Sequence, residues 1–187
     1  MGIVETSSPK YWNYFLALEA DVIDLSRYIE FTKDNFTSYS METAKIILSA
    51  ASEADVMAKQ LCKVLDDETE TNSIGGYKEV LVRKIKNFSD TQVIINRYGL
   101  ELTPWINWTG KEHPDWWSDY NKVKHHRHDH FMRANLKNAL NAMAGLFVLL
   151  IFYRLNSVEY PSLSPRPVLF DMPDLIFFGP DFWGDGH

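Results

Sequence analysis

SMETAKIILSAASEADVMAKQLCKVL, residues 40–65, is the stretch whose periodicity decides the fold. Ala44, Ile47, Leu48, Ala51, Ala54, Ala58, Leu61 and Leu65 recur at three- and four-residue steps, so they line one face of a helix that begins near Ser40. The stripe is rich in alanine, which lets a neighbouring helix approach closely. Upstream, Ser8-Pro9 has the form of an N-cap followed by a first-turn proline. Tyr11, Phe15, Leu18, Val22, Leu25 and Ile29 then mark the inner face of a first long helix, interrupted by the short polar residues Asn35 to Ser38.

Downstream, Asp66 to Gly76 is polar and acidic and ends in Gly75-Gly76, the composition of a loop. Tyr77 to Phe88 predicts a third, shorter helix with Val80, Leu81 and Ile85 inward. Thr91 to Tyr98 is rich in β-branched residues and predicts a short strand. Pro104, Trp105, Trp108 and Gly110 then mark an ordered aromatic loop. Pro114 suits the first turn of a fourth helix, where Asp115 places a favourable negative charge. A fifth helix is expected from about His130 to Leu155. Its apolar run, Ala139 to Tyr153, is short for a membrane span and suits a buried core helix. Pro161, Pro165, Pro167, Pro173 and Pro180 exclude further long helix.

The expected architecture is therefore all-α, a single-domain bundle of about five helices. Residues 1–8 form an N-terminal extension, 9–157 the bundle, and 158–187 an irregular tail rich in proline and aromatic residues. That tail carries Phe177, Phe178, Phe182 and Trp183, so it is expected to pack on its own domain or on a protein partner.

The net charge of −6 argues against a protein that coats nucleic acid non-specifically, yet leaves room for a local basic site. The single cysteine, Cys62, excludes an intrachain disulfide and reads as buried filler. Met1 to Lys10 lacks an apolar signal region, so the expected setting is cytoplasmic, with no membrane. No phosphate-binding or dinucleotide fingerprint and no nucleophile elbow occurs. No cofactor is expected.

Chemistry concentrates in Trp116 to His130, which holds four of the six histidines. On a regular helix Asn121, His125 and His128 fall within a strip of about 60°. An imidazole near a lysine or arginine can move a proton while the cation stabilises charge on phosphorus. Such a pair suits cleavage of RNA by its own 2′-hydroxyl without a metal. His125, Asn121, Lys124 and Arg127 are the candidate catalytic residues, supported by Tyr120, His128 and Glu53. Glu53 sits among alanines; it is read first as solvent-exposed, and if partly buried it would pair with Arg127 or Lys124 across the bundle. Lys122, Arg133 and Trp117 are candidate RNA contacts, the last by base stacking. Asn135, Asn138 and Asn141 step along the fifth helix as the edge of a solvated face. The i, i+4 pairs His126/His130 and His125/Asp129 could share a metal, but the helical zinc signature is absent and no metal site is assigned.

Asn121-Lys122-Val123-Lys124-His125 resembles the latter part of the R-N-x-x-x-H motif of HEPN-superfamily ribonucleases, and Ser52-Glu53-Ala54-Asp55 is similar to a polar stretch many of these domains carry opposite the motif. The resemblance implies a helical bundle, a homodimer with the motif in a shared cleft, and a toxin- or defence-type endoribonuclease. Asn121 and His125 are the residues that carry over. Tyr120 stands where active members have arginine, so Lys124 or Arg127 would have to supply the cation from a different position. The rival expectation is a non-catalytic helical interaction module that docks a protein partner. A metal-binding helical protein using His125, His126, His128 and Asp129 ranks third.

Overall fold

The computed structural model describes residues 10–69, 71–157 and 163–173. Among these residues five α-helices carry the fold: α1 (Lys10–Leu25), α2 (Met41–Leu65), α3 (Ile74–Lys84), α4 (Asp115–His130) and α5 (Leu136–Asn156). The chain is mostly all-α, with one small antiparallel hairpin of β1 (Val93–Ile95) and β2 (Leu100–Leu102).

The pairing of α2 with α5 is the most extensive in the molecule. Ala44, Ala50, Ala51, Ala54 and Ala58 of α2 are fully buried, as are Leu140, Ala142, Met143, Ala144 and Leu146 to Ile151 of α5. Small residues on one helix let the large ones of the other fill the gap. By length and composition α5 could cross a membrane, yet 78% of its apolar window is buried within this bundle. Phe15 of α1 stacks on Phe147 of α5 at 5.3 Å, extending the core across a third helix.

Local chemistry sets the helix ends. Ser40 caps α2 by accepting from the Thr43 N–H, while the Ser40 N–H donates to the Thr43 hydroxyl. Asn135 caps α5, its side-chain oxygen accepting from the Asn138 N–H at 3.0 Å. Gly75 and Gly76, expected in a loop, lie in the first turn of α3, because the Ser73 hydroxyl accepts from the Gly76 N–H and starts the helix there. That helix stops at Lys84 rather than Phe88, since Ile85 is extended and Asn87 is left-handed at φ 60°. The first helix ends at Leu25, short of Ile29, where the chain goes over to tighter turns. The fifth starts at Leu136 rather than His130, since a short 3₁₀ turn at Phe131–Arg133 intervenes. The short strand over Thr91 to Tyr98 shrinks to β1, and Leu100 to Leu102 supplies an unexpected partner across a turn in which Gly99 takes φ +60°.

Residues 163–173 lie against the bundle. The Trp12 indole donates to the Pro165 carbonyl at 2.9 Å, and Ile94 and Asp171 exchange backbone hydrogen bonds at the edge of β1. The buried Glu19 carboxylate accepts from the N–H groups of Val168, Leu169 and Phe170. Three donors on one carboxylate satisfy a charge that would otherwise be costly to bury. The proposed Ser8-Pro9 helix start and the aromatic residues Phe177, Phe178, Phe182 and Trp183 lie outside the described residues.

Candidate functional site

Helix α4 is fixed to the bundle by its apolar side. Trp116, Trp117, Tyr120 and Val123 are buried. The Trp116 indole donates to the Pro104 carbonyl at 2.8 Å, and its ring lies over Gly145 of α5, where a Cβ would meet Trp116 Cζ2 at 2.7 Å. One turn on, Asp119 is buried and accepts from the Asn138 amide at 2.9 Å, a cross-link between α4 and α5. With that side anchored, Asn121, Lys124 and His125 face solvent.

The helix is not regular to its end. His126 has φ −138° and ψ 42°, so Arg127 to His130 form a separate last turn. On an unbroken helix His125 and Arg127 would point about 200° apart. Here both line one open groove of about 690 Å³, with Lys124 and His128. Its apolar lining comes from Val123 of α4, Met41 and Leu48 of α2, and Phe131 in the turn before α5. Among the described residues no carboxylate lines it, so the groove presents cations and imidazoles over an apolar floor. The exposed Asp129 is engaged by His128 at 2.9 Å.

Backbone hydrogen bonds hold the two walls together. Leu136 N–H donates to the Ser38 carbonyl and Lys137 N–H to that of Phe36, with an isolated bridge between Tyr39 and Asn135. The Thr43 hydroxyl donates to the Ala134 carbonyl at 2.6 Å. The start of α2 is thereby stitched to the start of α5, and Tyr39 meets Phe131 edge to face at 5.3 Å.

The sequence candidates divide accordingly. His125, Lys124, Arg127 and His128 share the groove. Asn121 is not among its lining residues: its amide donates back to the Trp117 carbonyl at 3.1 Å, which ties it to its own helix. Tyr120 is buried, its ring 5.9 Å from Trp117 and under the Lys124 ammonium at 5.4 Å. Lys122 and Arg133, read as RNA contacts, both turn to Asp119, at 3.2 and 3.7 Å, so a carboxylate already offsets their charge. Trp117 is 7% exposed and wedged between Trp116 and Tyr120, which leaves little ring face for a base. Trp105, Trp108 and Trp116 are likewise packed in the core.

Glu53 is half-buried, and no described cation comes within ion-pair distance of it, so the alternative pairing with Arg127 or Lys124 does not form. Burial alone pushes its carboxyl up from the ordinary carboxylate range. Asn138 also departs from expectation, being a buried bridge to Asp119 rather than the edge of a solvated face. Among the described residues no three histidine, cysteine, aspartate or glutamate side chains converge as a metal site, and the break at His126 interrupts the His125/Asp129 spacing.

Sequence reasoning missed the groove's far wall. Met41 and Leu48 lie about 80 residues before His125, and nothing in their local pattern connects them to it. The Asp119–Asn138 bridge had a faint signal, an acidic residue on the apolar side of α4 opposite an amide on an apolar helix. No protein-family model matches the chain, and no curated protein or solved structure matches it either.

Proposed function

We propose that the groove beside the break in α4 binds the phosphate backbone of single-stranded RNA and cleaves it without a metal. The single observation that carries this is the break at His126, which puts Arg127 with His125 in one open groove that has no carboxylate among its described lining residues. The neutral His125 imidazole takes the proton from a ribose 2′-hydroxyl, and the 2′-oxygen bonds to phosphorus. The bond from phosphorus to the 5′-oxygen breaks, and the imidazolium returns the proton to that oxygen. A 2′,3′-cyclic phosphate and a 5′-hydroxyl end result. Arg127 and Lys124 stabilise the charge that builds on the phosphoryl oxygens.

In this proposal the chain is a HEPN-like, toxin- or defence-type endoribonuclease, cytoplasmic and homodimeric. Arg127 takes the part of the cation that Tyr120 displaces, and Asn121 makes no contact with phosphate. End-labelled RNA incubated in excess chelator tests it. The wild type should yield cyclic-phosphate ends, and His125→Ala should lower the rate by about 10²-fold or more at unchanged melting temperature. Equal rates in the two proteins would refute the assignment.

One observation favours the rival, a non-catalytic module. Tyr120 is locked in the core and the exposed Asn121 donates to its own helix, so neither motif position is among the residues lining the groove. No cleavage by the wild type would leave that module as the account of the groove.

A further inference from the structure

Resting on the RNA assignment above, we propose that Tyr39, backed by Phe131, is the platform on which an unpaired base of the bound strand stacks. Trp12, Trp105, Trp108, Trp116 and Trp117, the obvious stackers among the described residues, are packed away, and open aromatic surface lies elsewhere. Tyr39 is 52% exposed although its backbone is fixed by the bridge to Asn135. Its ring meets Phe131 edge to face at 5.3 Å and 76°, so the pair is held in place while much of Tyr39 stays in solvent. Phe131 is itself a wall of the groove that holds His125 and Arg127. Met41, 62% exposed, adjoins it and extends the apolar surface.

An aromatic side chain held rigid and half-exposed costs little further ordering when a base lies on it. The cations beside it decide the occupant. A nucleotide brings a π-face and a phosphate together, one for the aromatic pair and one for Arg127 and Lys124. Sequence preference is then weak, because every base has a face to stack. Duplex is disfavoured, because its bases are already stacked.

A 2′-O-methyl hexanucleotide carrying 2-aminopurine, which cannot be cleaved through a 2′-hydroxyl, is the probe. Wild type should bind it with quenching of the 2-aminopurine fluorescence, and Tyr39→Phe should do the same. Tyr39→Leu, which keeps apolar area but loses the ring, should weaken binding by about 5- to 100-fold and abolish the quenching. Its affinity for an abasic oligonucleotide of the same length should equal that of wild type.

Wild-type affinity and quenching in Tyr39→Leu, with Arg127→Ala impaired, would overturn the platform and leave the RNA assignment intact. Loss of dimerisation in Tyr39→Leu without loss of oligonucleotide binding would overturn it in favour of a face for a second copy. No binding by the wild type would remove the RNA assignment and the platform with it.

Discussion

Asp119 accepts from Asn138 at 2.9 Å and faces Lys122 and Arg133, so one buried carboxylate links α4 to α5 and offsets the charge of two half-exposed cations. Asp119→Ala should cost about 1–3 kcal/mol in a denaturant titration, because it leaves a buried amide proton with one acceptor fewer. A variant as stable as wild type would show the bridge to be incidental. Burial pushes the Cys62 thiol up to about 11. At pH 8 only about one molecule in a thousand then carries the reactive thiolate. Iodoacetamide at that pH should leave the native protein unlabelled for as long as it stays folded and modify it promptly in denaturant; rapid native labelling would contradict this. Residue types were legible in the sequence, including the buried Cys62 and the groove group His125, Lys124, Arg127 and His128. Partnerships were not. Asn121 and His125 share a helix face by arithmetic, but only the geometry shows the Asn121 amide turned to Trp117.

Among the elements, α2 was legible because its apolar period is strong, and α5 because its apolar run is nearly continuous. Gly75-Gly76 misled, since a serine cap can open a helix through glycines whose propensity alone argues against it. The strand β2 was hidden because three residues are too few for a pattern. The seat of α4 depends on Gly145, where a methyl group would lie 2.7 Å from the Trp116 ring. Trp116 is held on its other side by its hydrogen bond to Pro104 and by Trp105 at 5.2 Å, so it has little room to retreat. Gly145→Ala should therefore destabilise the protein by about 1–3 kcal/mol, against the gain in helix propensity. A rise in melting temperature would mean that Trp116 moves freely.

At the scale of the whole molecule, an acidic chain assembles a cationic groove, without a carboxylate among its described lining residues, from segments about 80 residues apart. The bundle was legible from periodicity alone. The groove was not, because its apolar wall comes from the start of α2 and its convergence depends on a backbone break at His126 that no spacing encodes. The most direct measurement is a histidine-resolved proton–carbon NMR titration with the uncleavable 2′-O-methyl oligonucleotide. The account predicts that the His125 and His128 signals shift in a saturable way, while exposed His113, in the loop before α4, stays still. Signals of His125 and His128 that remain in place, or that move no more than His113, would contradict it.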